Sequence, residues 1–245
     1  MRLNLIEAVT FDLWDTLVHT RNYSEFRLPA LNRQLMVNGV FLDEDELNEA
    51  YMAGWRHSSH VIRVEGNRHV QTAEIVDRVL SEVGLVDPPN RDEIVRMYEE
   101  AVLMDPPRLK EGVTETLTAL SGRYRLGIVS VTGVSAGRLM RGILERQGVL
   151  GCFEALAFSD EVGYVKPDPR LFMAALEELG VEPGKAVHVG DSVKSDVLGA
   201  RNAGMKTVWL KTRDQKLVAE PDRVITRLTQ LPETLETLSA PRLAS

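Results

Sequence analysis

Asp12, Lys166, Asp191 and Asp196 are the residues of this chain whose types and spacing could do chemistry. Asp12 closes the apolar run in Val9-Thr10-Phe11-Asp12-Leu13-Trp14-Asp15-Thr16-Leu17, and Asp191 closes the one in Val187-His188-Val189-Gly190-Asp191-Ser192. Each puts a carboxylate where a buried strand runs out, and in open α/β sheets ligand chemistry gathers at the carboxyl ends of the strands. Acids at two strand ends and a lysine point to an aspartyl nucleophile beside a divalent cation.

The elements that must position these groups are readable in the apolar pattern. Residues 8–11, 125–129, 155–158, 186–189 and 207–210 are short apolar runs, rich in β-branched residues, that read as buried parallel strands. Helical stretches separate the last four. Residues 114–120 put Leu117 and Leu120 on one face. Residues 171–179 carry Leu171, Phe172, Ala175, Leu176 and Leu179 as a stripe that Gly180 stops, and 195–203 end at Gly204. Alternating strand and helix implies a parallel sheet covered on both faces. The interval 18–105 breaks this pattern and is helical throughout. Ile75, Val76, Val79, Leu80 and Val83 recur behind Thr72 as N-cap, and Ile94, Val95, Tyr98, Ala101 and Val102 repeat the theme. The interval is far too long for one crossover, so it reads as an inserted helical subdomain. It begins near 19–22 and leaves through Asp105-Pro106-Pro107-Arg108, a stiff linker that no helix can cross. Two close-set hinges would let it rock as a lid. The expected domains are an α/β core, 1–18 and 107–245, and a helical cap, 19–106.

With 245 residues, 44% hydrophobic and 27% charged, the chain has enough apolar mass for a packed core. Its net charge of −7 argues against a nucleic-acid role resting on a basic surface. No stretch approaches the roughly 18 apolar residues of a membrane span. Met1-Arg2-Leu3-Asn4-Leu5-Ile6-Glu7 is too short and too quickly acidic for a signal peptide. A cytoplasmic protein without membrane or nucleic-acid partners is expected; the oligomeric state stays open. The single Cys152 reads as packing, and the tail after Leu238 as frayed.

Four ordered motifs resemble the haloacid dehalogenase superfamily, aspartyl-nucleophile hydrolases with a helical cap inserted after the first strand. They are Phe11-Asp12-Leu13-Trp14-Asp15-Thr16-Leu17, Ile128-Val129-Ser130, Gly163-Tyr164-Val165-Lys166-Pro167-Asp168-Pro169, and Gly190-Asp191-Ser192 with Asp196. The likeness spans nearly the whole chain. It implies a Rossmann-like parallel five-stranded sheet in the order 5-4-1-2-3, with the first strand central. It also implies that Asp12 attacks phosphorus or an activated carbon, giving an ester that water then cleaves.

The resemblance extends to the other residues. Asp196 lies five residues beyond Asp191, near the start of a helix, so both can approach Asp12. Two like charges about 4 Å apart cost roughly 4 kcal/mol at an effective dielectric of about 20, so three carboxylates need cations. Hard oxygen donors suit Mg²⁺. The implied ligands are Asp12, the backbone carbonyl of Trp14 and Asp191, with Asp196 ligating directly or through water. The plainer reading of Asp196 is a first-turn acid favoured by the helix dipole. The Ser130 hydroxyl and the Val131 amide would hold phosphate oxygens, although the family often has Asn at the Val131 position. Lys166, kept extended by the following Pro167, would pair with Asp12 and the phosphate. Asp168 reads as a helix cap.

Family phosphatases usually carry a second Asp two residues after the nucleophile to protonate the leaving oxygen. Here that position is Trp14. General acid catalysis contributes about 10²–10⁴-fold, so its loss penalises alkyl phosphates most and aryl or acyl phosphates least. A register shift that brings Asp15 into that role stays open. The family's dehalogenases have an aromatic residue at the Trp14 position and need neither acid nor metal, but lack the Gly-Asp-Ser turn. The expected activity is a Mg²⁺-dependent phosphatase for a small phosphorylated metabolite. The alternatives are a metal-independent 2-haloacid dehalogenase and a non-catalytic binding protein. In the cap, Arg56, His57, His60, Arg63, Arg68 and His69 form a basic stretch. Arg56 and His60 are candidates for holding a second anionic group of the substrate; a solvated helix face is the plainer reading.

Overall fold

The apolar runs become strands. The computed structural model describes residues 6–239, with β1 (Ala8–Phe11), β2 (Arg125–Ser130), β3 (Ala155–Phe158), β4 (Ala186–Gly190), β5 (Lys206–Leu210) and β6 (Arg223–Ile225). All pair in parallel, in the order β3-β2-β1-β4-β5-β6. The first five keep the expected order; the five-stranded expectation is corrected by β6 at the edge. That strand has no apolar run to announce it. Val224 is exposed and only Ile225 is buried, since an edge strand packs against little. The first five residues and the tail beyond Ser239, including most of the stretch read as frayed, lie outside the described residues.

Between β1 and β2 lie α1 (Ser24–Val37), α2 (Glu44–Val64), α3 (Thr72–Glu82) and α4 (Arg91–Met104). They share a core of their own, with Leu31, Leu35, Tyr51, Val61, Ile75, Val79, Ile94 and Tyr98. A capping box starts α2: Glu46 N donates to Asp43 Oδ1 at 2.9 Å and Asp43 N to Glu46 Oε2 at 3.0 Å. Gly54 lets α2 lie close to α3, because a Cβ there would sit 2.8 Å from Val79 Cγ2. Thr72 is the first helical residue rather than the N-cap, a position held by Gln71.

The sheet is buried on both faces, and all four residues of β1 are buried. On one side pack α5 (Val113–Leu120), α6 (Gly137–Arg146) and α10 (Leu231–Ser239), through Leu117, Met140, Ile143 and Leu235. Cys152 is half-buried against the same cluster. After β3 comes the short α7 (Ser159–Val162). The other face is covered by α8 (Pro169–Leu179) and α9 (Leu198–Asn202), through the expected stripe from Leu171 to Leu179 and Ala200. Asp168 caps α8, its carboxylate accepting from Arg170 N at 3.0 Å. Gly180 ends α8 at φ 61°, a left-handed conformation that glycine adopts without steric cost. Among the described residues no helix is long and apolar enough to cross a membrane.

Two features place the chemistry. Phe11 lies opposite both Ile128 and Val189, so β1, β2 and β4 release Asp12, Ser130 and Asp191 at the carboxyl end of the sheet. The helical insertion is also tied to the core away from its two linkers. Arg68 and Tyr164 form an antiparallel bridge, His69 N donates to Gly163 O at 2.9 Å, and Val165 N donates to Asn67 O at 2.8 Å. This third attachment is absent from the two-hinge expectation, because nothing in the 66–70 sequence marks it as a strand.

Candidate active site

Asp12 follows β1 directly and is held by its backbone N, which donates to Val189 O at 2.9 Å. The residue is 6% exposed. Lys166 Nζ donates to Asp12 Oδ1, to Asp196 Oδ1 at 2.6 Å and to Val129 O at 3.0 Å. The ammonium joins two acids from opposite ends of the chain and the strand between them. One oxygen each from Asp12, Asp191 and Asp196 lie within 4.8 Å of one another, and all three residues are buried.

Asp196 lies in a π-helical turn, Val193–Val197, that precedes α9. Its Oδ2 accepts from Ser192 N at 2.8 Å, and its Oδ1 also accepts from His188 Nε2 at 3.2 Å. A carboxylate only accepts, so Nε2 carries the imidazole proton. His188 Nδ1 then accepts from the Thr10 hydroxyl at 2.9 Å. Gly190 is required by close approach: a Cβ there would land on the Asp196 carboxyl group. The turn bearing Asp191 is clamped from β5 and beyond. Its carbonyl accepts from Trp209 Nε1 at 2.9 Å and Gln215 Nε2 at 2.7 Å, while Val193 N donates to Gln215 Oε1 at 3.0 Å.

The electrostatics follow from burial. Burial pushes the Asp12 carboxyl up; the Lys166 ammonium opposes this, and the Asp196 and Asp191 charges add to it. Asp191 is pushed up to about 6 by burial, with Asp196 and Asp15 contributing. For Asp196 burial also acts upward, but Lys166 and His188 outweigh it and hold the carboxyl well below its usual range. Burial acts to lower the Lys166 ammonium, yet Asp12 and Asp196 prevail and keep it charged. His188 is lowered by burial and stays neutral. Three acids and one ammonium leave an excess of negative charge among hard oxygen donors, and these residues therefore fit a divalent cation such as Mg²⁺.

The remaining expected residues divide. Ser130 ends β2 fully buried, and its Oγ has no partner among the described residues. Val131 follows it, half-buried. Trp14 is half-buried against the core and bridges to Val18. Asp15 has φ 59°; its Oδ1 accepts from Thr20 N at 3.2 Å and its carbonyl from Lys110 Nζ at 2.5 Å. Its carboxylate thus closes its own loop, while its charge still acts on Asp191. Arg56 and His60 make no hydrogen bond or ion pair with Asp12, Lys166 or Asp191 among the described residues. The buried face of α2 carries Leu47, Tyr51, Ser58 and Val61, leaving Arg56 exposed on Glu49 at 2.7 Å and His60 exposed beside Arg63. Sequence reasoning missed His188, Thr10, Gln215 and Ser159. The one signal available was a histidine inside an otherwise apolar strand.

A family model described as haloacid dehalogenase-like hydrolase matches residues 6–204, a span holding all four motifs. The chain belongs to this family of hydrolases. A phosphoserine phosphatase of Thermus thermophilus is 40% identical over 239 residues, covering 89% of this chain and 94% of that protein. A pyrimidine 5′-nucleotidase of Escherichia coli is 36% identical over 127 residues, 51% of this chain and about half (55%) of that protein. Among solved structures, a 2-haloacid dehalogenase of Pseudomonas syringae superposes with TM-score 0.68 at 25% identity, covering 96% of this chain and 100% of that one. In this hydrolase, as the family resemblance implied, the acids converge where β1 and β4 end.

Proposed function

We propose that this hydrolase is a Mg²⁺-dependent phosphatase for a small phosphorylated metabolite. The observation that carries the reading is the three buried carboxylates within 4.8 Å of one another, against the one ammonium of Lys166 bonded among them. A dehalogenase that works without metal has no use for that excess charge. Asp12 attacks phosphorus and forms an aspartyl phosphate, which water hydrolyses. Lys166 pairs with the phosphoryl oxygens, and Ser130 Oγ and the Val131 amide bind them from the end of β2. Asp12, Asp191 and the Trp14 carbonyl would hold Mg²⁺, which supplies positive charge against the phosphoryl oxygens. Asp196 already accepts from Lys166, His188 and Ser192, which favours ligation through water. The insertion, 19–106, acts as a cap over the core segments 1–18 and 107–245, excluding water while Asp12 attacks. Phosphate-ester names among the relatives support the substrate class, and the composition fits a cytoplasmic enzyme.

Trp14 at the acid position, with Asp15 Oδ1 accepting from Thr20 N, supports a reading in which leaving groups depart unprotonated. Aryl and acyl phosphates should therefore turn over faster than alkyl phosphates. Trp14 is also the observation that keeps C–halogen hydrolysis as a second reading. The test is turnover of p-nitrophenyl phosphate and acetyl phosphate with Mg²⁺ and with EDTA, beside chloride release from 2-chloropropionate. Phosphate release lost in EDTA supports the proposal. Chloride release indifferent to EDTA replaces it with the dehalogenase, and inactivity of the folded protein on every substrate favours the binding role.

A further inference from the structure

Of the basic residues between 56 and 69, His69 alone is fully buried, at 4% exposure. It lies in the strap joining α2 to α3, where its backbone N donates to Gly163 O. His69 Nδ1 is 3.0 Å from Ser159 Oγ. Ser159 opens α7 directly after β3, and its Oγ accepts from Thr132 N at 3.0 Å. The imidazole is thus two hydrogen bonds from the loop that carries Ser130 and Val131. His69 Nε2 and Ser130 Oγ are both among the side-chain atoms buried without a hydrogen-bond partner among the described residues. Buried polar atoms are nearly always paired, so each such orphan needs a reason.

The protons can be followed. The Thr132 hydroxyl donates to Asp160 Oδ1 at 2.8 Å, and a carboxylate only accepts. Ser159 Oγ takes the Thr132 N–H, and its own proton has two acceptors in reach, His69 Nδ1 at 3.0 Å and Thr132 Oγ1 at 3.1 Å. A neutral ring that accepts at Nδ1 carries its hydrogen on Nε2. Burial holds the ring neutral; Asp160 and Glu74 oppose that and Arg68 assists it.

We propose that His69 is the insertion's own contribution to the phosphoryl-binding site, its Nε2–H donating to a phosphoryl oxygen that Ser130 Oγ also binds. This rests on the phosphatase reading above. Ser159 fixes the ring, and the Arg68–Tyr164 bridge brings it to the core. In this docked arrangement both atoms are sealed from solvent. The phosphoryl group therefore reaches them as the insertion lifts, and is gripped as it docks again.

The test separates the two nitrogens. Asn at 69 reproduces a group near the Nδ1 position and loses the far donor, whereas Gln reaches the Nε2 position and loses the near contact. With Mg²⁺ present, H69N should raise the inhibition constant of inorganic phosphate and the KM for p-nitrophenyl phosphate by about tenfold or more. H69Q should raise them less. The reverse ranking, or no change in either variant, overturns the proposal. ¹⁵N-imidazole NMR of the wild-type protein decides the case in which both variants lose equally or fail to fold. On adding phosphate a displaced Nε2 resonance of His69 supports the proposal, and a silent one overturns it. A wild-type protein that neither hydrolyses phosphate esters nor binds phosphate overturns the phosphatase reading and this proposal with it. An active wild type with an unimpaired H69N overturns this proposal alone.

Discussion

Replacing Lys166 with Met strips the site of the one ammonium that holds Asp12 and Asp196 together. The side chain is 3% exposed, and its Nζ donates to Asp12, to Asp196 at 2.6 Å and to Val129 O at 3.0 Å. Without it, carboxylates no more than 4.8 Å apart face one another, at about 3.5 kcal/mol per pair for an effective dielectric of about 20. Breaking a buried ion pair by removing one partner costs about 3–5 kcal/mol. Since that repulsion is present in the wild type as well, the broken ion pair sets the expected loss, about 3–5 kcal/mol for K166M at pH 8 in EDTA. The sign of the pH dependence follows from Asp12, whose carboxyl burial already pushes up. Removing the ammonium pushes it further. Between the usual carboxylate range and neutrality the folded variant then holds a proton that the unfolded chain has lost, so stability falls as pH rises through that window. The deficit should be largest at pH 8 and shrink toward pH 5, and Mg²⁺ should recover part of it. Urea denaturation followed by circular dichroism, at both pH values with EDTA or Mg²⁺, measures it. Equal stability of variant and wild type at pH 8 in EDTA, or a deficit that grows on acidification, refutes the reasoning.

The clamp on the acidic turn makes a separate prediction: Q215A removes both the bond to the Asp191 carbonyl and the bond from Val193 N. Loss of such outer support typically weakens metal binding about 10–100-fold, to be read by isothermal titration with Mg²⁺; unaltered affinity would show that the turn holds itself. G190A drives a methyl group onto an Asp196 carboxyl pinned by Lys166, His188 and Ser192 N. Overpacking of this kind costs about 1–3 kcal/mol, and a urea midpoint matching wild type would mean that Asp196 moves freely. In the insertion, Glu74 is held at about 2 chiefly by hydrogen bonds from Arg68, with His57 adding. A depressed acid stabilises above its unfolded value and loses that contribution as pH falls through its folded one. The Tm gap between wild type and E74Q should therefore be fullest above about pH 5 and close toward pH 2; a gap constant over that range contradicts the assignment.

How much was readable depends on how local each signal is. The expected strand positions, the Leu171–Leu179 stripe, the Gly180 stop and the Asp168 cap are statements about neighbours a few residues apart, and the structure has all of them. The strand β6 escaped because an edge strand with one buried residue has no apolar pattern. The basic stretch of α2 shows its charge on a helix wheel, while the direction of its buried face does not show there. Leu47, Tyr51, Ser58 and Val61 turn inward, so Arg56 and His60 turn out.

The sequence by itself determined the alternation of elements, the family and the acids at the ends of β1 and β4. Apolar period and glycine or proline punctuation act over single turns, and the motifs are written in consecutive letters. Only the tertiary structure decided which polar groups meet. His188 finds Thr10 178 positions away, Lys166 spans Asp12 and Asp196, and His69 reaches Ser159. Such contacts are between atoms that chain order does not bring near. They form because a buried polar group left unpaired is costly, and the partner that satisfies it is whichever one the packed sheet and insertion place within reach.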